Sequence, residues 1–318
     1  MSRRSPIEPV SNDSGSLCIS GAAGFIGTAL RERLGPYPRV RVIGIDLRPQ
    51  TNFPGHESLT LDVRRPGKWK GEKPSTLIHL AALAEAVVPW ALTHDMFSVN
   101  LGGTWSILQC LQPRKVIFAS TCAVYGDVLH AAAKPSWRRV RPVGVYGASK
   151  AAGELMLRDW ARETGGSAII LRFGNVIGPR CRGLIRYLVR HALDHPDGNE
   201  PARMRGFGRV ERDYVPVEHI VEVMLESAAR EWPPGSVSIF NVGAGRTMTN
   251  GAVAKLVKRR LGQHGFPLAI RFDDPLAPGE AERSALDVSR TGKFFGLAPP
   301  GIPQVRLSIV DSVDSLLI

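Results

Sequence analysis

Cysteine is scarce and scattered in this chain of 318 residues. Cys18, Cys110, Cys122 and Cys181 form neither a C-x-x-C motif nor the spacing of a zinc site, so we predict no disulfide framework and no metal site. The sequence also lacks an apolar signal segment and any uncharged apolar run approaching the ~18 residues of a membrane span. We therefore expect a cytoplasmic protein with reduced thiols and no membrane partner.

Acidic residues are outnumbered, because 29 Asp and Glu stand against 41 Lys and Arg, giving a formal net charge of +12. Such an excess is compatible with nucleic acid, an acidic membrane surface or a small anionic substrate. The basic residues are scattered, however, in short clusters such as 138–141 and 180–182. Since no basic stripe interleaved with aromatics, zinc finger or helix-turn-helix accompanies them, we interpret them as a solvated surface and expect no nucleic-acid partner.

Short apolar segments rich in β-branched residues alternate with helical segments along the first half of the chain. The predicted strands are residues 17–20, 40–46, 59–63, 76–80, 115–120 and 167–172. The clearest predicted helices are residues 28–34, 97–111 and 146–163. This alternation predicts an α/β fold of the Rossmann type, a doubly wound parallel sheet, followed by a smaller C-terminal α/β domain.

A glycine-rich turn follows the first predicted strand. Gly21, Gly24 and Gly27 lie where that strand leads into a helix, an arrangement that lets a pyrophosphate approach the backbone and the helix N-terminus. Asp46 ends the second strand, where a carboxylate bonds both ribose hydroxyls and repels a 2′-phosphate. Arg48 lies close enough to accept such a phosphate. We expect NAD as the cofactor, with NADP as the alternative.

Tyr146 and Lys150 are four residues apart and therefore lie one turn from each other on one helix face. An ammonium beside a phenol favours the phenolate and lowers a pKa of about 10. Such a phenolate takes a proton from an alcohol near neutral pH. The pair recurs by chance on amphipathic helices, but after a dinucleotide-binding motif it predicts a site of hydride transfer.

The predicted domain bounds follow from these motifs and from the loss of regular alternation after Asn175. Residues 1–16 are polar, with serines and prolines, and are expected to form a flexible N-terminal tail. Residues 17–174, with a returning segment at about 207–243, are predicted to form the NAD-binding Rossmann domain. Residues 175–206 and 244–318 are predicted to form the substrate-binding domain.

Over residues 17–296 the chain resembles the extended short-chain dehydrogenases/reductases, in particular the NAD-dependent epimerase/dehydratase group that acts on nucleotide sugars. The motifs that carry the resemblance, in the order of that family, are the glycine turn, Asp62-Val63, His79-Leu80-Ala81-Ala82, residues 99–104, residues 120–126, Tyr146 with Lys150, residues 172–179 and residues 212–215. The resemblance implies a nucleotide-activated sugar as substrate. It further implies a homodimer formed by the helices at 97–111 and 146–163.

The resemblance also implies which residues contact the cofactor. These are Gly21, Gly24, Phe25, Ile26, Gly27, Asp46, Asp62, Val63, Leu80, Ala81, Ala82, Asn100, Tyr146 and Lys150. Asp62 and Val63 correspond to the positions at the adenine, and Lys150 to the position that bonds the nicotinamide ribose. Asn100 corresponds to a position near the nicotinamide, although a helix cap is an equal alternative. His79 is expected to pack structurally.

Thr121 corresponds to the catalytic Ser/Thr position of the family, so the implied catalytic residues are Thr121, Tyr146 and Lys150. The implied substrate contacts are Thr121, Cys122, Asn175, Arg212 and Arg283. Arg212 corresponds to an arginine that binds the pyrophosphate of the nucleotide. The family often has a second arginine directly before a Pro-Gly pair, where this chain has Ala277, and we expect Arg283 to replace it.

The shared chemistry of the family is oxidation, in which Tyr146 takes a hydroxyl proton while a hydride moves to the nicotinamide. The 4,6-dehydratases carry an Asp-Glu pair directly after the catalytic Thr, whereas this chain has Cys122 and Ala123, so elimination is disfavoured. We predict a nucleotide-sugar epimerase acting at C4. The alternatives are an NAD(P)H-dependent reductase of nucleotide 4-keto sugars, an atypical dehydratase using Cys122, and a non-enzymatic dinucleotide sensor.

Overall fold

The computed structural model describes residues 16–35, 41–50, 56–85, 89–137 and 140–318. The predicted tail at 1–16 lies outside the described residues apart from Ser16, as do Val40, Arg138 and Arg139. None of the described helices is both long and apolar enough to cross a bilayer.

The strands, in chain order, are β1 Leu17–Ser20, β2 Val42–Asp46, β3 His56–Thr60, β4 Thr76–His79, β5 Lys115–Thr121, β6 Ser167–Phe173, β7 Asn175–Ile177, β8 Ala202–Arg205, β9 Glu211–Pro216, β10 Val237–Val242, β11 Thr247–Thr249, β12 Ile270–Asp274 and β13 Arg283–Ser284. The helices are α1 Phe25–Leu34, α2 Thr93–Phe97, α3 Thr104–Leu111, α4 Val145–Thr164, α5 Leu184–Asp194, α6 Val217–Ala229, α7 Asn250–Gln263, α8 Ser289–Phe295 and α9 Ile302–Leu317. A π-helical segment, Ser98–Gly103, joins α2 to α3, and short 3-10 helices cover Trp90–Leu92, Cys122–Tyr125 and Gly206–Gly208.

Seven parallel strands form the central sheet, in the order β10-β6-β5-β4-β1-β2-β3. The inner strands are mostly apolar, and every residue of β1, β4 and β6 is buried, including the polar residues His79 and Arg172. Runs of this kind are typical of parallel strands that are covered by helices on both faces. The predicted fold class, a Rossmann-type doubly wound sheet, is confirmed.

The third strand differs from its predicted position at 59–63, because the structure has it at His56–Thr60. This strand lies at the edge of the sheet, pairs with β2 alone, and exposes most of its side chains. Its position is therefore set by backbone pairing with β2 rather than by burial of apolar side chains, so the apolar pattern used for the prediction selected the following residues instead.

A smaller region lies beyond β6. Around β9 it has a four-stranded sheet in which β7 and β13 are parallel to β9 and β11 is antiparallel. A separate pair joins β8 and β12, and α5, α7 and α9 enclose a second apolar core. Within the segment 207–243, β10 joins the central sheet and β9 joins the smaller one, while the predicted domain bounds themselves stay a prediction.

Close packing of α4 against β5 positions the functional face of that helix. A Cβ on Gly153 would lie 2.9 Å from the ring of Phe118, so α4 approaches the sheet more closely than a larger residue would allow. Lys150 and Glu154 are buried on the same helix. The carboxyl ends of β1, β2, β4 and β5 lie at one edge of the parallel sheet, where ligands bind in folds of this type.

Candidate active site

The glycine turn is packed against the sheet by contacts that exclude side chains. Gly21 has φ +75, and a Cβ there would lie 2.7 Å from the backbone nitrogen of Ala81. A Cβ on Gly27 would lie 2.3 Å from the carbonyl oxygen of Gly21. The Asp46 carboxylate, at the end of β2, accepts a hydrogen bond from the backbone nitrogen of Ala23 at 2.9 Å. The turn is thereby tied to the strand end that carries the predicted ribose-binding carboxylate.

These residues fit a dinucleotide. Gly24 is the N-cap of α1 and has no side chain that could bond the backbone nitrogens of the first turn, the groups that bind phosphate at a helix N-terminus. Asp46 accepts a second hydrogen bond, from the backbone nitrogen of Arg48 at 3.0 Å. The Arg48 guanidinium donates to the carbonyl oxygen of Ala23 at 2.8 Å, so one of its nitrogens is already engaged by the turn. The Asp46 carboxylate is therefore held beside the glycine turn by two backbone nitrogens.

The structure places Asp62 and Val63 just after β3, and Leu80, Ala81 and Ala82 just after β4. The Asp62 carboxylate is bonded by the Arg64 guanidinium, with Nη2 at 2.7 Å, and this hydrogen bond lowers the pKa of Asp62. Val63 is buried, and a Cβ on Gly103 would lie 2.8 Å from its side chain. Both segments follow strands of the central sheet at its carboxyl edge, and the one after β4 contacts the glycine turn through Ala81.

Asn100 is a buried connector inside the π-helical segment, where the sequence predicted one continuous helix. Its Oδ1 accepts from the backbone nitrogen of Leu83 at 2.8 Å, and its Nδ2 donates to the Leu83 carbonyl and to Ser149 Oγ, both at 2.9 Å. Asn100 therefore does not cap a helix. It joins the loop after β4 to α4 at the residue preceding Lys150, and its amide is engaged by these protein groups.

Lys150 is 2 % exposed, and its Nζ lies 4.6 Å from the centroid of the Phe118 ring. Burial lowers the pKa of Lys150 to about 8, and the charge of Glu154 opposes this shift. Within the part of the chain that the structure describes, no group accepts a hydrogen bond from this ammonium, which suits the implied contact with ribose hydroxyls. His79 bonds Ser20 and Thr104, and burial lowers its pKa to about 3, as expected of a structural histidine.

Tyr146 lies in the first turn of α4, and Thr121 is the last residue of β5. Burial raises the pKa of Tyr146, whereas the nearby Thr121 hydroxyl lowers it. The sequence predicted the opposite direction, from the charge of Lys150 alone. That prediction was wrong for the protein by itself because removal of the phenol from water disfavours the phenolate and Lys150 does not offset it.

A cavity of about 250 Å³ brings together Thr121, Cys122, Tyr146, Asn175 and Arg212, which are the predicted catalytic and substrate residues apart from Lys150 and Arg283. Small side chains and glycines form much of the remaining wall: Ala84, Ala123, Gly126, Gly144, Gly147, Gly174, Gly279 and Ala281. Residues far apart in the sequence thus converge on one concave site with a hydroxyl, a phenol and a guanidinium.

Sequence reasoning missed two polar residues of this cavity, Glu280 and Ser284. Glu280 Oε1 lies 3.6 Å from Arg212 Nη2, and its Oε2 is buried without a hydrogen-bond partner among the described residues. Glu280 could have been found from the sequence, because it directly follows the Pro278-Gly279 pair, which in this chain is preceded by Ala277 instead of an arginine. Nothing in the sequence pattern indicated Ser284, which reaches the cavity through the pairing of β13 with β9.

Arg283 is not brought into this cavity. Its Nε donates to Glu211 Oε2 at 3.0 Å, and its Nη1 donates to the carbonyl oxygen of Val128 at 2.8 Å. The backbone nitrogen of Arg283 donates to Asp127 at 2.9 Å. The guanidinium therefore fastens the loop after the 3-10 helix Cys122–Tyr125 to β9, and Arg212 is the arginine that lines the predicted substrate site.

Cys122 is buried in the wall of the cavity, and burial raises the pKa of its thiol while Arg212 lowers it. The thiol is therefore a weaker acid than an exposed cysteine. The next residue, Ala123, packs closely on α4, because a Cβ on Gly147 would lie 2.5 Å from the Ala123 carbonyl oxygen. Neither position offers the carboxyl groups that the 4,6-dehydratases use for loss of water.

Residues 17–243 match the model of the NAD dependent epimerase/dehydratase family. The chain belongs to this family. The matched segment runs from β1 to the end of β10, and so includes the glycine turn, Asp46, Thr121 and the Tyr146 pair. The predicted family and its NAD cofactor are thereby confirmed, whereas the roles of the individual residues stay predictions.

Known proteins of the family are similar over nearly the whole chain. The dTDP-L-rhamnose 4-epimerase of Burkholderia thailandensis is 26% identical, over 95% of this chain and 97% of that protein. The UDP-glucose 4-epimerase of Thermus thermophilus, solved as a complex with NAD, is 26% identical with a TM-score of 0.78, covering 95% of this chain and 99% of that one. MoeE5, solved with UDP-glucuronic acid and NAD, has a TM-score of 0.82 at 23% identity, over 95% and 98% of the two chains, and shares the fold.

Proposed function

We propose that the protein is an NAD-dependent nucleotide-sugar epimerase that inverts C4. The observation that carries this proposal is the cavity in which Tyr146 and Thr121 adjoin Arg212, with Cys122 and Ala123 in place of an acid-base pair. A phenol and a hydroxyl suffice for reversible oxidation of an alcohol. Loss of water would need a further acid and base beside the catalytic hydroxyl, and Cys122 and Ala123 at the two following positions carry no carboxyl group. The cavity's one described carboxyl group, Glu280, lies beside Arg212.

In the proposed reaction the deprotonated oxygen of Tyr146 removes the proton of the C4 hydroxyl, which Thr121 orients through a hydrogen bond. Bound NAD supplies the acceptor of the C4 hydride and its later donor. Tyr146 then returns its proton to the oxygen of the 4-keto sugar after the sugar has turned its other face. Because burial raises the pKa of Tyr146, the same phenol is well suited to this second step.

We further propose that the glycine turn, Asp46, Asp62 and Lys150 hold NAD. The glycine turn, Asp46 and Asp62 lie at or just after the carboxyl ends of β1, β2 and β3, which supports this assignment. Lys150 lies on α4, with its ammonium over Phe118 of β5. Lys150 would donate hydrogen bonds to the nicotinamide ribose from a position one helical turn after Tyr146. Gly21 and Gly27 would let the pyrophosphate contact the backbone.

For the substrate, Arg212 would bind the diphosphate of a nucleotide sugar, since a planar guanidinium suits phosphate oxygens. Asn175 lines the same cavity and would contact the sugar. The similarity to a dTDP-sugar epimerase and a UDP-sugar epimerase supports this substrate class. Arg283 is left out of the proposed substrate site because its guanidinium is bonded to Glu211 and to Val128.

We also propose a homodimer formed by the helices at 97–111 and 146–163. Large apolar side chains project from these helices, with Phe97 37 %, Trp105 51 % and Leu155 62 % exposed. Exposed apolar side chains of this size favour a protein interface. Light scattering on a sizing column is the direct measurement, with twice the chain mass of 34.6 kDa expected.

The experiment that tests the function is incubation of the purified protein with a panel of UDP-, GDP-, CDP- and dTDP-sugars, followed by separation of the products. Interconversion of C4 epimers without net accumulation of NADH supports the proposal. Turnover that occurs only with a 4-keto sugar and added NAD(P)H would instead identify a reductase. A product that has lost water would identify a dehydratase and would give Cys122 a role in proton transfer.

A further inference from the structure

A buried charged pair lies below the catalytic end of α4. Glu154 follows Lys150 by four residues, so it lies on the same helix face, one turn further from Tyr146. The side chain of Glu154 is 3% exposed and that of Arg172, on β6, is 1% exposed. Neither residue lines the substrate cavity. Burial of two charges costs free energy that the attraction between them has to offset, so the stability of the fold alone does not account for this pair.

The carboxylate of Glu154 is fixed from two strands. Arg172 donates from Nε to Oε1 at 2.9 Å and from Nη2 to Oε2 at 2.6 Å, the two-pronged geometry that defines direction as well as distance. Ser120 Oγ donates to Oε1 at 2.5 Å. Ser120 and Arg172 are register neighbours on β5 and β6, and Ser120 directly precedes Thr121. The strand that carries the catalytic hydroxyl therefore also sets the position of this carboxylate.

Arg172 is held on its other side as well. Its guanidinium lies 4.7 Å from the centroid of the Tyr125 ring, and Tyr125 Oη donates to Asn241 Oδ1 at 2.7 Å. Asn241 is the register neighbour of Arg172 on β10. A layer of polar side chains thus crosses three strands under α4, and it leaves Glu154 little freedom to move.

Among the residues that the structure describes, the charged and titratable groups around Lys150 come from three elements: His79 from β4, Tyr146 and Glu154 from α4, and Arg172 from β6 behind Glu154. His79 is uncharged near neutral pH, because burial lowers its pKa to about 3. Burial also lowers the pKa of Lys150 to about 8, and Glu154 is the group that opposes this shift. The anion that favours the lysine ammonium is therefore the one that Arg172 fixes in place.

We propose that Glu154, fixed by Arg172 and Ser120, is a positioning residue that keeps the Lys150 ammonium charged for its contact with NAD. Glu154 acts through Lys150 and touches neither substrate nor cofactor. The proposal rests on the proposed function, in which Lys150 donates to the nicotinamide ribose. A purely structural ion pair would stabilise the fold without changing how NAD binding depends on pH.

The test compares the parent protein with the double variant Glu154→Gln/Arg172→Met, in which both charges are removed so that neither is left unpaired. Calorimetric titration gives the NAD dissociation constant between about pH 6 and pH 10. In the parent, NAD binding is expected to weaken as pH rises through the Lys150 pKa of about 8. In the double variant we expect this decline to occur about one pH unit lower. NAD should then bind about tenfold more weakly to the double variant than to the parent near the middle of the titration, and equally well to both at its acidic end.

Glu163→Gln is the matched control, since it removes the same charge from the same helix at an exposed position. Its NAD titration should superimpose on that of the parent. Lys150→Arg provides a second control, because arginine keeps its charge throughout this pH range and the decline should vanish. Thermal melting of every variant establishes that it is folded. If the double variant does not fold, Glu154→Asp is the second variant, because it keeps a carboxylate for Arg172 but shortens the side chain by one methylene group. The decline of NAD binding should then move in the same direction by less than about one pH unit.

The positioning role would be overturned if NAD binding by the folded double variant declined at the same pH as in the parent and was weaker than the parent by the same factor at every pH. Glu154 and Arg172 would then be a structural ion pair. Because the readout is NAD binding, this outcome is distinct from failure of the proposed function. If the protein epimerises no nucleotide sugar but the pH of the decline in NAD binding shifts in the double variant, the proposed role of Glu154 stands and the proposed function does not. If the protein is an epimerase and this pH does not shift, the proposed function stands and the role of Glu154 does not.

Discussion

The two halves of the site are held in different ways. In the half proposed to bind NAD, which comprises residues 21–27, Asp46 and Lys150, backbone atoms approach one another so closely that a Cβ on Gly27 would lie 2.3 Å from an oxygen. We call it the cofactor half, and the half proposed to bind the sugar nucleotide the substrate half. In the substrate half, which comprises Asn175, Arg212 and Glu280, side chains from separate segments line one cavity. The glycine turn of the first half depends on the absence of side chains, whereas the second half depends on polar side chains that come from separate segments, so the two halves should respond differently to mutation.

The largest effect on turnover is expected at Tyr146, which lies between the cofactor half and the substrate half. Tyr146→Phe removes the proposed proton acceptor, so turnover should fall by about 10²- to 10⁴-fold. NAD binding should change little, because the glycine turn and Asp46 are untouched. Steady-state kinetics and calorimetric titration measure the two quantities. Tyr187→Phe alters an exposed tyrosine on α5 and should leave turnover normal. Near-normal turnover of Tyr146→Phe would remove Tyr146 from the mechanism.

The cofactor half is tested by adding one methyl group. Gly27→Ala places a Cβ 2.3 Å from the Gly21 carbonyl oxygen, so the turn has to shift, and we expect the NAD dissociation constant to rise at least about tenfold. Gly262→Ala is the matched control, since a Cβ at that position in α7 meets nothing within 4 Å. This control should bind NAD normally and gain roughly 0.5–1 kcal/mol in stability. Equal NAD binding by the two variants would contradict the close-packed turn.

The substrate half is tested with two arginines of different predicted role. Arg212→Met should raise KM for the nucleotide sugar about ten- to a hundredfold, because a charge-assisted hydrogen bond is worth about 1.5–3 kcal/mol. Arg283→Met should leave KM within about twofold and lower the melting temperature instead, since its contacts are with Glu211 and Val128. If Arg283→Met raised KM as strongly as Arg212→Met, Arg283 would belong to the substrate site after all.

The smallest effect concerns the choice of cofactor. Asp46→Asn removes the charge that repels a 2′-phosphate, while Arg48 stays beside the turn. The ratio of NAD to NADP affinity should fall by about tenfold, mainly through weaker binding of NAD, because one charge-assisted contact to the ribose is weakened. Competitive titration of the two dinucleotides measures the ratio. An unchanged ratio would show that Asp46 does not face the ribose.

The same contrast explains what could be predicted from the sequence. The strand Leu17–Ser20 and the glycine turn are contiguous in the sequence, so the local pattern of residues was enough to predict them. The predicted helix at 146–163 likewise differs from α4 by one residue at each end. Arg283 could not be judged locally, because its partner Val128 is 155 residues away. The predicted direction of the Tyr146 pKa shift was wrong for a similar reason. Burial raises this pKa, and burial depends on how α4 packs against the sheet rather than on the spacing of Tyr146 and Lys150.

The central claim is that Tyr146 and bound NAD oxidise C4 of a nucleotide sugar and that the same hydride returns to the other face. The most direct measurement uses a substrate carrying deuterium at C4, with mass spectrometry of the epimer formed in ordinary water. The proposed function predicts that the label is retained at C4 in the product. Loss of the deuterium to solvent during epimerisation would contradict return of the hydride and would require a different mechanism.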